Sequence, residues 1–502
     1  MQLDVLLTTL PPNYLNEPTL APALLKSALQ TNGFSCQTVD FAFYCYNAIF
    51  DKDYTKYINW GNTLNNEYNY TKMSVEHKSI LDQTINKYIQ LIKLHHPKFL
   101  ALSIFSVWQQ RFAYLVCAKI RELRLDVKII IGGMGVSVPP SGLRTVSRLS
   151  YFDIRNSYGR YMDDQKLVDY VILNDGELEL VKLLKDYKTY QSTFEHNEVT
   201  YDNNFYPNFD DFDLDNYLYI DNEKTLLVAG SKGCVRQCVF CSEHSNYSKY
   251  YFKSGVSLAD EIIFLSKKYN VYKFHLTDSL VNGSLTEFKE FTRRLARYNQ
   301  DTPGKEVKWH GNYICRTKNN MTDEDFRTLK LSGAIGLTIG AESGSNQVLQ
   351  EMKKKTTVED LLYEISKFEQ HGINCSLLFM IGFYSETWKD FLMTLELVKK
   401  LQPYFYTGTV SSLRFGYTLS MNEWQDFDLS DFTVDYNNAY NWTYFKNLDL
   451  TLKERVRRRV IVQEFCDRLG IPVGYAREDL QFLDLIYNNN INNGKAAYHD
   501  HH

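Results

Sequence analysis

The chain has 502 residues, 44% hydrophobic and 23% charged, which makes it globular rather than disordered and too long for one ordinary domain. A formal net charge of −4 argues against a dedicated nucleic-acid binder, which would normally show a strongly basic face. No apolar run approaches the ~20 residues needed to span a bilayer, and the start Met1-Gln-Leu-Asp-Val-Leu-Leu lacks a basic, long-apolar leader, so a soluble, cytoplasmic protein is expected.

In chain order, residues 1–191 predict an open α/β domain. Leu3-Asp-Val-Leu-Leu-Thr-Thr is a short apolar strand stopped by Pro11 and Pro12, and Leu20 to Asn32 is an amphipathic helix closed by Gly33. Further strands are expected at Cys36-Gln-Thr-Val-Asp-Phe, Phe99-Leu-Ala-Leu-Ser-Ile-Phe, Lys128-Ile-Ile-Ile-Gly-Gly and Val168-Asp-Tyr-Val-Ile. Alternation with helices, one of them running through Arg124, implies a parallel sheet whose ligand lies at its carboxyl edge. Residues 44–96 predict a helical insertion, and the Asn-, Asp-, Tyr- and Phe-rich residues 192–222 a linker.

A second β/α series occupies residues 223–420. Strands at Thr225–Ala229, Tyr272–Thr277, Val307–Ile314, Ile335–Gly340, Asn374–Ile381 and Thr407–Leu413 alternate with helices. Ser257-x-x-Asp260, Ser284-x-x-Glu287, Thr322-x-x-Asp325 and Thr357-x-x-Asp360 have the capping-box pattern, and Gly333 and Gly372 stand where helices should stop. Six such units suggest a partial barrel with its chemistry at the carboxyl ends of the strands. Residues 421–502 form a C-terminal extension, with a charged helix near Leu452–Leu469 and a disordered Asn-rich tail whose closing histidines also admit a metal.

Nine cysteines are present. Cys36, Cys45, Cys117, Cys315, Cys375 and Cys466 are scattered, as buried small hydrophobes usually are; of these, Cys315 and Cys375 fall in strands and are candidate thiols. The other three lie in Gly230-Ser-Lys-Gly-Cys-Val-Arg-Gln-Cys-Val-Phe-Cys-Ser, directly after the first strand of the barrel series. Cys234, Cys238 and Cys241 can hold three corners of an iron–sulfur cube and leave the fourth iron open. With His244 they also fit a structural Cys₃His zinc site, which leaves a non-catalytic, zinc- or cluster-stapled binding protein as an alternative. On the same rim stand His275-Leu-Thr-Asp278-Ser279, then Ile339-Gly340-Ala341-Glu342-Ser343-Gly344-Ser345, and Met380-Ile-Gly382-Phe-Tyr-Ser-Glu386-Thr387. Glu342 suits a ribose hydroxyl pair, Gly344 a close ligand approach, and Ser343 or Ser345 a helix cap.

Taken together, these motifs resemble those of radical S-adenosylmethionine (SAM) enzymes of the subgroup with an N-terminal cobalamin-binding domain. The resemblance rests on CxxxCxxC with Phe240 before its last cysteine, on Gly340-Ala-Glu-Ser-Gly-Ser-Asn-Gln-Val-Leu-Gln-Glu-Met-Lys-Lys-Lys-Thr-Thr, and on Pro207 to Tyr217 leading into the barrel. Upstream, Leu20–Asp40, Ile131-Gly-Gly-Met-Gly and Val168-Asp-Tyr-Val-Ile-Leu-Asn-Asp-Gly-Glu follow the subgroup's pattern more loosely. Departures are Tyr384-Ser385 for Pro-Gly, Lys232 for arginine, Asn174-Asp175 for Gly-Glu, and no D-x-H-x-x-G histidine to ligate cobalt from below.

The resemblance implies a Rossmann-like, cobalamin-binding-type sheet followed by a partial (β/α)₆ radical SAM barrel and a mostly helical C-terminal region. It implies a [4Fe–4S] cluster on Cys234, Cys238 and Cys241, and SAM near Phe240, Asp278, Ser279, Arg316, Gly340, Glu342, Ser343 and Gly382. Cobalamin is expected at Gly132 and Gly133, and the electron donor is a flavodoxin or ferredoxin. Reductive cleavage of SAM to a 5′-deoxyadenosyl radical, used for cobalamin-dependent C-methylation of an unactivated carbon, is the expected function. A cyclisation, rearrangement or oxidation without methyl transfer or without cobalamin is the alternative. The substrate class stays open among peptides, small metabolites, lipid precursors and modified nucleosides, with a large nucleic acid the least favoured.

Overall fold

The structure, a computed structural model, describes residues 2–64, 70–140, 157–173, 175–192, 205–241, 243, 247, 249–405, 407–413, 431–434 and 441–475. Asn174, His244, the first half of the expected linker and the tail after residue 475 lie outside them. Two compact units divide the chain, Met1–Ala229 with Asp260–His275, and Gly230–Ala259 with Leu276–His502.

The first unit is built on five strands, β1 (Val5–Thr9), β2 (Cys36–Val39), β3 (Phe99–Ser103), β4 (Lys128–Gly132) and β5 (Tyr170–Ile172), all paired in parallel in the order β2-β1-β3-β4-β5. Side chains alternate across a strand. Val5, Leu7, Phe99, Ala101, Ile130 and Ile172 therefore share one face, packed with Ala28 and Leu29 of helix Leu20–Thr31 and Leu180 to Leu184 of helix Gly176–Lys185. Thr8 alternates with Leu7 along β1 and meets the Tyr88 hydroxyl at 2.5 Å, while Tyr88 packs edge-on against Phe41 and Phe112.

Two boundaries depart from expectation for local reasons. Strand β2 stops at Val39 because Asp40 caps the helix Phe41–Ala48, accepting from the Phe43 N–H. The second half of the expected linker is anchored rather than loose. Asp211 pairs with Lys26 at 2.7 Å and accepts from the Thr38 N–H, the Tyr217 hydroxyl donates to Asp40, and the Tyr217 ring stacks on Phe43.

The barrel series contributes β6 (Thr225–Val228), a two-residue ribbon of β7 (Ser231–Lys232) with β8 (Tyr251–Phe252), then β9 (Lys273–Leu276), β10 (Lys308–Tyr313), β11 (Ala334–Glu342), β12 (Asn374–Ile381) and β13 (Thr407–Ser412). A hairpin of β14 (Phe432–Val434) and β15 (Trp442–Tyr444) follows, then helix Leu452–Leu469 and β16 (Val473–Tyr475). The sheet order is β16-β13-β12-β11-β10-β9-β6, so the C-terminal region adds a seventh strand to the six expected. Pairing from β10 to β13 and on to β16 is parallel. Thr322 and Thr357 close full capping boxes, whereas Ser284 caps its helix but Glu287 accepts from the Gly255 N–H instead of closing the box. At Ser257 the cap lies one turn earlier, since Ser254 Oγ accepts from the Ser257 N–H and the helix already begins at Gly255. Gly333 and Gly372 end their helices at φ +89° and +66°.

Candidate functional site

Asp278 holds the base of the cysteine loop, accepting from the Gly230 N–H at 2.9 Å and the Ser231 hydroxyl at 2.5 Å. Burial pushes its carboxyl up to about 6 against the pull of those two donors. Asn312 on β10 fixes the Asp278 carbonyl at 2.9 Å. Gly233 has φ +75°, and a Cβ there would lie 2.7 Å from the Lys249 carbonyl oxygen, so only glycine lets the loop turn at this point. At the far end of the loop the Val239 N–H donates to the Met352 carbonyl at 3.1 Å, which ties the cysteines to the segment after β11.

Cys238 is buried, and Cys234 and Cys241 are partly buried. Burial pushes the Cys238 and Cys241 thiols up to about 11 and raises Cys234 as well, while Lys354 draws all three down. Among the described residues, no set of metal-ligating atoms lying within 4.8 Å of one another includes the three sulfurs. One tetrahedral zinc needs Zn–S near 2.3 Å, hence sulfurs about 3.8 Å apart. A cube that puts each thiolate on a different iron takes a wider triangle. Three thiols on one loop are a donor set that fits a cluster, whereas the zinc alternative also needs His244, which lies outside the described residues.

Strand β11 carries a register shift between Gly340 and Glu342, and Glu342 sits at φ +60°. A left-handed backbone costs a non-glycine residue about 1–2 kcal/mol. Here it accompanies a Glu342 carboxylate set 2.7 Å from Lys354 Nζ, with side chains only 8% and 11% exposed. Gly340 makes room for the pair, since a Cβ there would stand 2.4 Å from the carboxylate and 2.5 Å from the ammonium. The Phe240 ring lies 5.9 Å from the same Nζ. Cys234, Cys238, Cys241, Phe240, Gly340 and Glu342 are thus brought together.

The remaining expected residues take other positions. Ser279 is exposed just after β9. Ser343 is fully buried, 3.3 Å from Thr394, and accepts from the Ser345 N–H; Ser345 is the helix cap. Gly344 admits the backbone of helix Trp388–Leu401 rather than a ligand, since a Cβ would meet the Met393 carbonyl at 2.2 Å. Gly382, at φ +76°, abuts the stem of Arg455. Arg316 donates to the Asn282 and Gly283 carbonyls, and its N–H reaches Glu364 at 2.8 Å.

Burial pushes the Glu364 carboxyl from 4.5 up to about 7. A carboxyl raised on folding stabilises the protein below its unfolded value, and that contribution is lost as pH rises towards 7. Glu364→Gln should therefore flatten the fall in stability between pH 5 and pH 8, measured by urea unfolding at both; an unchanged slope would assign the proton uptake elsewhere.

At the first unit's carboxyl edge the chain order reverses between β1 and β3, the switch point where such sheets hold ligands. Gln109 laces that edge, accepting from the Phe105 and Ser106 N–H groups and donating to the Leu10 carbonyl. Gly133 has φ +105°, with a would-be Cβ 2.6 Å from the Ile104 oxygen. Phe105 is 60% exposed and Met134 43%. Gly132 and Gly133 stand one strand away from the switch point.

Residues 228–398 match the family profile of the radical SAM superfamily. The chain carries a radical SAM domain. Such a domain implies a [4Fe–4S] cluster and SAM. Across 199 residues, the chain is 25% identical to the anaerobic magnesium-protoporphyrin IX monomethyl ester cyclase of Rubrivivax gelatinosus, over 39% of this chain and 35% of the cyclase. The match thus spans about a third of that relative's length.

Among solved structures, the radical SAM methyltransferase TsrM from Kitasatospora setae, with cobalamin and a [4Fe–4S] cluster bound, superposes with TM-score 0.54 at 16% identity, over 83% of this chain and 76% of TsrM. The cobalamin-dependent radical enzyme OxsB, with aqua-cobalamin and SAM bound, gives TM-score 0.54 at 16% identity, over 99% of this chain and 63% of OxsB. At such identity the likeness concerns the fold, an N-terminal parallel sheet followed by the radical SAM barrel and a helical C-terminal region.

Two features escaped sequence reasoning, the buried Lys354 and the buried arginines of the C-terminal helix. Lys354 sits in a Lys-Lys-Lys run that reads as a solvated surface, yet its residue is only 9% exposed. Arg455, Arg458 and Arg459 share the buried stripe of helix Leu452–Leu469 with Val462 and Cys466, where an all-apolar stripe is the rule. Arg458 pairs with the fully buried Glu386 at 2.8 Å, and Arg459 reaches Ser412 at 3.0 Å. Cys315 and Cys375 are core residues; burial raises both thiols, Cys375 up to about 12, so neither supplies a thiolate at neutral pH. No helix among the described residues is long and apolar enough to cross a membrane.

Proposed function

We propose that the protein is a radical SAM methyltransferase that uses a [4Fe–4S] cluster, SAM and cobalamin to methylate an unactivated carbon. The observation that carries this reading is the cysteine loop with its three thiols beside the Glu342–Lys354 pair, at the carboxyl ends of the barrel strands. Cys234, Cys238 and Cys241 would hold three irons and leave the fourth to SAM. Bound there, the cluster and SAM supply reductive cleavage to a 5′-deoxyadenosyl radical, and cobalamin supplies a methyl carrier.

The chain's own side chains do the binding, aiming and shielding. Asp278, Gly230 and Ser231 keep the cysteine loop in place. Glu342, turned inward by its left-handed backbone, offers a carboxylate to the ribose hydroxyls, and Phe240 a face for adenine. Gly340 leaves room beside Glu342, while Ser343 and Gly382 act from behind the nucleoside pocket, Ser343 by holding the turn after β11 and Gly382 by ending β12. Ser279, exposed just after β9, is left to the SAM or substrate side, and Arg316 holds the 282–283 turn. For cobalamin, the Gly132-Gly133 bend and the exposed Phe105 and Met134 form the receiving edge. A flavodoxin or ferredoxin-type protein is the electron donor, and the substrate is a small molecule or peptide. The likeness to a cyclase keeps ring formation without methyl transfer as the second reading.

Anaerobic purification followed by reconstitution tests the proposal. The expected result is a brown protein with about four irons per chain that retains corrinoid and releases 5′-deoxyadenosine from SAM when reduced. In cell extract it should carry label from the SAM methyl group into one product. 5′-Deoxyadenosine without label transfer would select the second reading, and a colourless zinc protein would end both.

A further inference from the structure

Three thiolates around an iron–sulfur cluster concentrate negative charge, and reduction by one electron adds another. The structure sets one lysine against that charge. Lys354 Nζ lies 2.7 Å from Glu342 Oε1 and 5.9 Å from the ring of Phe240, itself inside the cysteine motif. Three local features accompany this placement. Glu342 takes a left-handed backbone, Gly340 stays bare where any Cβ would strike the pair, and the Val239–Met352 hydrogen bond holds the lysine's segment to the cysteine loop.

A buried ion pair adds little to stability by itself. A charge held in a low-dielectric surrounding nevertheless acts strongly on its neighbours. We propose that Lys354 is the buried counter-charge that raises the reduction potential of the cluster on Cys234, Cys238 and Cys241, with Glu342 setting how much of that charge the cluster feels. Lys354 is here a positioning residue. It ligates no iron, and it eases acceptance of the single electron that the donor protein delivers. The inference rests on the cluster reading above.

The test is a redox titration of the reconstituted full-length protein without SAM, followed by electron paramagnetic resonance. In Lys354→Met the ratio of reduced to oxidised cluster at a fixed potential should fall about tenfold, a midpoint lower by about 59 mV for one electron. Lys354→Arg should restore it. Glu342→Gln, which leaves the lysine uncompensated, should shift the midpoint the opposite way. A merely structural pair predicts loss of iron without opposed shifts. Lys354→Met with full iron and an unmoved midpoint would overturn the proposal. If that variant takes up no iron, Glu342→Gln decides, a raised midpoint in support and an unmoved one against. A wild-type protein that assembles no cluster at all would instead overturn the proposed function.

Discussion

Cys238→Ala is expected to abolish both cluster assembly and 5′-deoxyadenosine formation while leaving the protein folded. Cys238 is the most enclosed of the three ligands, 7% exposed, and lies at the centre of the motif. Its loss leaves two thiolates, too few to hold the cube by three corners. The loop should survive, because its anchors are elsewhere: Asp278 on Gly230 and Ser231 at one end, and Met352 on Val239 at the other. Iron analysis, SAM cleavage and far-ultraviolet circular dichroism check the three parts. SAM cleavage at the wild-type rate would move the metal centre away from this loop.

The second large effect is on stability. Glu386 is fully buried and accepts from the Gly382 N–H and from Arg458, whose side chain is 3% exposed. Arg458→Met keeps the volume and removes the charge, leaving a buried carboxylate without its cation. Breaking such a pair from one side costs about 3–5 kcal/mol, on the order of 10 °C in melting temperature for a unit of this size. The loss should depend on pH. Burial already pushes the Glu386 carboxyl up to about 7, and without Arg458 it rises further. The protonated acid tolerates burial, so stability is recovered as pH falls below the folded value and is lost as pH rises through it. Melting curves should therefore separate variant from wild type more at pH 8 than at pH 5. An equal gap at both would mean that Glu386 is not charged in the folded protein.

Much of this was legible from local pattern. The parallel strands of both sheets were, because runs such as Ile129–Ile131 and Leu377–Ile381 are apolar enough to be buried on both faces. The caps at Ser284, Thr322 and Thr357 were too, since a cap is decided within four residues. The cysteine triplet and Glu342 stood out by residue type at strand ends. The Asp278 carboxylate was legible as a rim residue but not in its position, because its bonds to Gly230 and Ser231 cross 48 and 47 residues of chain. The seventh strand was not legible: Val473–Tyr475 is three residues long and is a strand only because β13 offers it an edge.

What composition and spacing determined by themselves is the chemistry on offer: a three-thiol loop after a barrel strand, an acid after β11, and a βα sheet upstream. Those signals are short in sequence, so they survive without knowledge of distant contacts. What only the tertiary structure decided is the charge around that chemistry. A lysine from a basic run and three arginines of a charged helix look solvated in one dimension. Their burial depends on Glu342, Glu386, Ser412 and Trp442, which the fold alone brings beside them. Desolvation is set by neighbours in space, and a charge's worth follows from its desolvation.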